Sequence, residues 1–171
     1  SMLAMELGKK QLAEVVVTCQ KLVGVDATIH LLDDLKALGF RWATRFGLSV
    51  AITDMDPPAK REEILAEAEQ KSGRISTQFQ RGMLDFNEMQ RSLVKLWQDT
   101  YDQIGVELTK GMDQFNPLSI ITVSGARGSV KQLAQLSGMR GLMMNQFNEV
   151  IYELPVKNSF HRGLSMLEYF V

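Results

Sequence analysis

Apolar residues recur at helical spacing along most of the chain, and the breaks between periodic stretches set its organisation. Over 9–23, Leu12, Val15, Val16, Cys19 and Leu22 with Val23 share one face. Gly24 ends that helix. Asp26 or Thr28 can cap the next, TIHLLDDLKAL, which Gly39 stops. FRWATRF, closed by Gly47, predicts a short third helix. The apolar alternation and β-branching of LSVAIT over 48–53 predict an extended segment.

DMDPP at 54–58 is the clearest punctuation. Asp56 can cap, a proline is tolerated in a first helical turn, and Glu62 and Glu63 favour a helix N-terminus. The helix from Ala59 carries Ile64, Ala68, Ile75 and Phe79 on its stripe, with Ser72 where an apolar residue would continue it. Residues 81–85 break the pattern. A second helix then presents Phe86, Met89, Leu93, Leu96, Trp97, Ile104 and Leu108. Two long amphipathic helices joined by a short glycine-containing turn form an antiparallel hairpin, either projecting with an exposed tip or packed in an ordinary bundle.

After Gly111 the character changes. Phe115-Asn116-Pro117 marks a turn, SIITV a short strand or approach segment, and SGARGS at 124–129 sets two glycines around an arginine. A helix SVKQLAQL runs to Gly138, followed by MRGLMM. NEVIYELPV reads as a short strand broken at Pro155, and SMLEYFV as the start of a final helix. A helix that short has no length to be stable alone, so the pattern reads as truncated there. The fold class expected is mainly α: an elongated helical fragment with a projecting antiparallel hairpin plus short strands and loops. Its divisions fall at 1–57, 58–112 and 113–171.

Composition narrows the classes. The 171 residues are 45% hydrophobic and 23% charged, suited to one globular unit or slightly more and too apolar for a disordered tail. No apolar run approaches the roughly 18 residues of a membrane span. Ser1-Met2 reads as an appended remnant rather than a targeting segment. The single Cys19 excludes a disulfide framework and a cysteine zinc site, and as a free cysteine it is expected in the core. The composition therefore suggests a reduced, cytoplasmic chain.

Net charge is −1, with no global basic footprint for nucleic acid. The distribution is uneven: −3 over 1–115 and +2 over 116–171, with no acid between Asp113 and Glu149 while Arg127, Lys131 and Arg140 lie inside that window. Such a window is either an apolar buried segment that excludes carboxylates or a surface that faces phosphates.

Candidate chemistry is sparse. The glycines of SGARGS let backbone N–H groups converge, Ser129 can cap the following helix, and Arg127 completes a sound anion site. From the residues alone, a small-residue turn before a helix outweighs that site. Nothing matches a phosphate-binding P-loop or a dinucleotide fingerprint, and no nucleophile set, zinc motif or carboxylate cluster occurs. Asp54 with Asp56 fits capping, Asp33 with Asp34 a solvated face, and His30 a structural histidine rather than a metal ligand. No catalytic residue and no metal ligand is assigned.

The run FNPLSIITVSGARGSVKQLAQLSGMRGLM, 115–143, strongly resembles the β′ subunit of multisubunit DNA-directed RNA polymerases, in which SGARG is followed by QL.GMRGLM. The resemblance extends over nearly the whole chain. LGFRWATRFGLSVAITDMDPP resembles the segment leading from the pore into the funnel. The charged hairpin resembles the paired rim helices of the secondary channel, with Glu88 and Trp97 at positions the family uses similarly. ELPVKNSFHRGLSMLEYFV resembles the approach to the bridge helix. Departures are Ile120, Ile121, Thr122 and Val123 before SGARG, Ala134 for an arginine, Asn145-Gln146 after GLMM, and the run Ser159–Leu164.

The resemblance implies a fragment, from β′ or from β″ of split-gene lineages, with no cofactor of its own. The parent enzyme uses Mg2+, but the aspartate motif NADFDGD that holds it is absent here, so the chain alone should be inactive. Arg127 would contact the incoming triphosphate, with Ser124, Gly125, Gly128 and Ser129 supporting the loop. Gln132, Gln135, Met139 and Arg140 would form the F-loop. Arg81, Asp85, Glu88 and Arg91 would dock secondary-channel factors of the Gre type. Implied partners are the β and α subunits and the rest of β′, with DNA and RNA met only through the full complex and no membrane. The location is cytoplasmic, or plastid for a β″ chain. The rival readings are a stand-alone helical coiled-coil interaction module and a divergent relative that has lost nucleotide handling.

Overall fold

The computed structural model describes residues 7–125 and 127–171; the remnant expected at Ser1-Met2 lies outside them. α1 (Lys9–Val23) and α2 (Val25–Phe46) meet at Gly24. α2 runs straight through Gly39, so the two helices expected there are one. An interior glycine costs only about 1 kcal/mol relative to alanine, too little to stop a 22-residue helix. The stop comes at Gly47, which adopts the left-handed conformation (φ 58°, ψ 40°). Neither Asp26 nor Thr28 caps: the cap position is Gly24, and the Thr28 hydroxyl donates back to its carbonyl at 2.8 Å.

LSVAIT is not a strand. Residues 48–51 are irregular and Ile52–Asp54 form a 3-10 turn, held by the Ala51 N–H donating to Asp54 Oδ2 at 2.7 Å. Among the described residues no neighbouring strand offers the ladder that its alternation would need.

α3 (Arg61–Gln80) and α4 (Phe86–Gly111) form the expected hairpin, joined by a turn at 81–85. Asp56 does not cap α3; the cap position is Lys60, without a side-chain bond. α4 is the spine of the fold. One side meets α3 through Ile64, Leu65 and Ala68. Trp97, Tyr101 and Ile104 also bury against Ala134 and Met139, with Leu142 packed alongside. A second cluster joins Leu108 to Leu118 and Leu133. The hairpin root is thus embedded in the C-terminal segment.

SIITV, expected as a short strand or approach segment, belongs to helix α5 (Pro117–Val123). Asn116 Oδ1 accepts from the Leu118 N–H at 2.9 Å, and Pro117 is preset for a first turn, which together override β-branching. α6 (Val130–Leu133) is a single turn capped by Ser129, and Ala134–Gly138 continue it as a π turn. β1 (Gly141–Met144) pairs antiparallel with β2 (Val150–Val156), Met144 opposite Val150 and Gly141 opposite Val156, with a bulge between. Pro155 lies inside β2 rather than ending it; in a two-stranded sheet its missing N–H can face away from the partner. α7 (Met166–Phe170) closes the described chain.

The fold is mainly helical and open. Its accessible surface is 12471 Å2, against roughly 8,400 Å2 for a compact monomer of this mass. α1 and α2 contribute to it with exposed apolar side chains. Leu22, Val25, Phe40, Trp42 and Phe46 are exposed, and Cys19, expected in the core, is half-buried. His30 is also exposed rather than structural.

Candidate functional site

The turn after α5 carries the arginine. The Ser124 and Gly125 amides donate to the carbonyls of Ile120 and Thr122 at 3.0 and 3.2 Å, closing the helix end. The Arg127 amide reaches back to the Ile121 carbonyl at 3.5 Å. Gly125 (φ 70°) and Gly128 (φ 85°) both occupy the left-handed region, which is why small residues flank the arginine. Ser129 Oγ accepts from the Gln132 N–H at 3.3 Å, the expected cap. α6 is only four residues long before the π turn, so a helix dipole adds little there. Arg127 is exposed and, among the described residues, has no ion-pair partner. It borders an apolar groove of about 380 Å3 lined by Leu118, Ile121, Leu133, Leu136 and Phe160.

The four residues expected to act as an F-loop divide between surface and core. Gln132 is exposed. Gln135 is half-buried, and its carbonyl accepts from the Phe160 N–H at 3.2 Å. The Tyr101 hydroxyl donates to the Lys131 carbonyl at 2.5 Å, and burial raises its phenol above the ordinary value, with the nearby Gln135 amide opposing. Met139 is fully buried in the core. The Arg140 N–H donates to the Asn158 carbonyl at 3.0 Å, and its guanidinium lies 5.3 Å from the Phe160 ring centre. Ser137 Oγ and His161 Nδ1 are buried without a hydrogen-bond partner among the described residues.

Arg81, Asp85, Glu88 and Arg91 are all exposed at the hairpin tip. Glu88 Oε2 accepts from the Asp85 N–H at 3.3 Å, so this carboxylate also helps start α4. Beneath the charges, Phe86 packs edge-on against Phe79 and Tyr152, centroids 6.4 and 6.5 Å apart. A groove of about 670 Å3 continues from there between the hairpin and β2, past Met89 and Trp97 to Lys157. The tip and the Arg127 turn sit toward opposite ends of α4. Gly105 packs beside Val130 and Ala134, and the 19 residue steps from Phe86 to Gly105 rise roughly 28 Å.

Two residues escaped the sequence reading. Arg61 is 2% exposed at the first position of α3 and bonds the carbonyls of Gly138 and Lys157. A cation where the helix dipole disfavours one was the available signal. Glu168 caps α7 by accepting from the Ser165 N–H at 3.0 Å, and also accepts from the Lys157 and Asn158 amides at 3.1 and 3.0 Å. Burial pushes its carboxyl up, but these bonds outweigh that and hold it at about 2.

Among the described residues no three His, Cys, Asp or Glu side chains gather as a metal site, and no helix is long and apolar enough to cross a membrane. The described carboxylates therefore do not fit a Mg2+ centre, which asks for several oxygen ligands together.

The family described as RNA polymerase Rpb1, domain 4, matches residues 62–163, and RNA polymerase Rpb1, domain 3, matches residues 2–55. The chain is similar to the DNA-directed RNA polymerase subunit beta' of Moorella thermoacetica, 40% identical over 97% of this chain. The same subunit of Pelotomaculum thermopropionicum is 41% identical over 96% of the chain, and that of Clostridioides difficile 40% over 95%. The chain spans 14% of the length of each of these relatives.

Proposed function

This chain belongs to the RNA polymerase β′ subunit family, and from that premise we propose that it serves DNA-templated RNA synthesis as a wall of the channel through which nucleoside triphosphates enter. In this reading 1–57 form the pore and funnel entry, 58–112 the rim-helix hairpin, and 113–171 the SGARGS segment, F-loop and approach to the bridge helix. The observation that carries it is Arg127: an exposed guanidinium with no carboxylate partner among the described residues, on a glycine-framed turn inside a window free of acids. Such a group attracts and orients a triphosphate by charge-assisted bonds.

The turn around Arg127 is built on the root of α4, while the charged tip lies toward the other end. A partner of the Gre type, steered by alternating charges, can therefore dock at Arg81, Asp85, Glu88 and Arg91 without covering the turn. The Mg2+ ions of the parent reaction would be held by carboxylates outside this chain. The β and α subunits and the rest of β′ would complete the enzyme, which would act in the cytoplasm.

Photocrosslinking tests this reading. A crosslinking residue replacing Arg91 in the assembled enzyme should capture a Gre-type factor. The same residue at Ile52 should not. Equal capture at both positions, or at neither, would contradict the docking role.

A further inference from the structure

Arg61 is the most deeply buried cation described, and its donors are distributed over segments far apart in sequence. Nε donates to the Gly138 carbonyl at 2.6 Å and Nη2 to the Lys157 carbonyl at 2.7 Å. Nη1 pairs with Glu62 Oε1 at 2.6 Å, and the same oxygen takes Arg162 Nη1 at 2.8 Å. The peptide unit joining Lys157 to Asn158 is gripped from its other side too, the Asn158 N–H donating at 3.0 Å to Glu168, the carboxylate that caps α7. One guanidinium thus joins the hairpin root, the end of the segment that began at SGARGS, and the residue from which α7 hangs.

We infer that Arg61 is a positioning residue for nucleotide addition, setting where α7 begins relative to the loop that carries Arg127. The inference rests on the polymerase reading above. A planar fork suits this task because two of its edges serve two carbonyls at once. A lysine could satisfy only one of them well. An apolar side chain would leave both carbonyls without this donor and free the three segments to shift.

The test uses the full subunit in the assembled polymerase. Single-nucleotide addition is followed by rapid quench for Arg61→Lys and Arg61→Met, with rates normalised to assembled enzyme. Misplacement of reacting partners lowers the maximal rate, so Arg61→Lys is expected to lose roughly tenfold and Arg61→Met more. The nucleotide KM should stay within about twofold, because Arg61 is buried with its donors taken by Gly138, Lys157 and Glu62 rather than offered to a ligand. Amide exchange at Lys157 and Asn158 should quicken in both variants. Wild-type rate and KM in assembled Arg61→Lys and Arg61→Met would overturn this inference alone. So would failure of both variants to assemble, which assigns Arg61 a purely structural role. Absence of templated synthesis by the unsubstituted enzyme would overturn the polymerase reading and this inference with it.

Discussion

A side chain on Gly138 would begin 2.5 Å from Cγ2 of Ile104, closer than two carbons can stand without one moving. Both residues are buried, where the π turn packs against the C-terminal half of α4. Gly141 makes a similar approach, a Cβ there falling 3.1 Å from the Tyr101 ring. The GMRG motif is therefore a pair of close contacts between loop backbone and α4.

Gly138→Ala should destabilise the 171-residue chain by about 1–3 kcal/mol, the usual cost of overpacking a core. Chemical denaturation measures it. Ile104→Ala removes the clashing methyl, so it should cost less in the Gly138→Ala background than in the wild type, and the double-mutant cycle reads that coupling.

Glu168 links stability to pH. Its carboxyl is held at about 2 against an ordinary 4.5, so its contribution is full above 4.5 and is lost as pH falls toward 2. Thermal melts of the wild type and Glu168→Gln should differ at pH 7, converge below pH 4.5, and coincide near pH 2. A gap that persists unchanged at pH 2 would contradict the sign.

Glu88→Lys should weaken binding of a Gre-type factor to the assembled enzyme, measured by fluorescence anisotropy. Because Glu88 also accepts from the Asp85 amide, Glu88→Gln is the matched control. The glutamine keeps an acceptor for the cap while losing the charge, so it should fall between wild type and lysine. Equal affinity in all three would leave the tip merely solvated.

Much of this architecture is legible in the sequence, and the failures share a cause. The seams of α3 and α4 predict both helices to within two residues, because long 3.6-residue periodicity survives any context. The misread places are short. SIITV is β-branched, yet the cap at Asn116 decides its form; Gly39 resembles a stop, yet its helix is long enough to absorb it. β1 had no signal at all, since GLMM becomes a strand only through its partner at 150–156. At the candidate site the Ser129 cap and the glycine conformations follow from residue type. The Arg61 links do not, because they join positions 77 and 96 apart in sequence.

The isolated 171-residue chain should show no saturable Mg2+ binding by calorimetry at millimolar metal. Its described carboxylates stand apart or pair with cations, as Asp33 does with Lys36 and Glu107 with Lys110, and each partner lowers the carboxyl's proton affinity. Tight stoichiometric binding would require an oxygen cluster that these residues do not form.

Steady-state nucleotide addition by assembled polymerase carrying Arg127→Ala tests the channel-wall reading most directly. Loss of a charge-assisted bond is worth roughly 1.5–3 kcal/mol, or about ten- to a hundredfold. If the contact is equal in ground and transition states the loss appears in the nucleotide KM; if it strengthens as charge builds on the leaving pyrophosphate, it appears in the maximal rate. Arg127→Lys should recover part of it, since the charge survives while the fork is lost. Wild-type nucleotide dependence in Arg127→Ala, accompanied by a lower melting temperature of the assembled enzyme, would contradict the account and make Arg127 a brace for the loop.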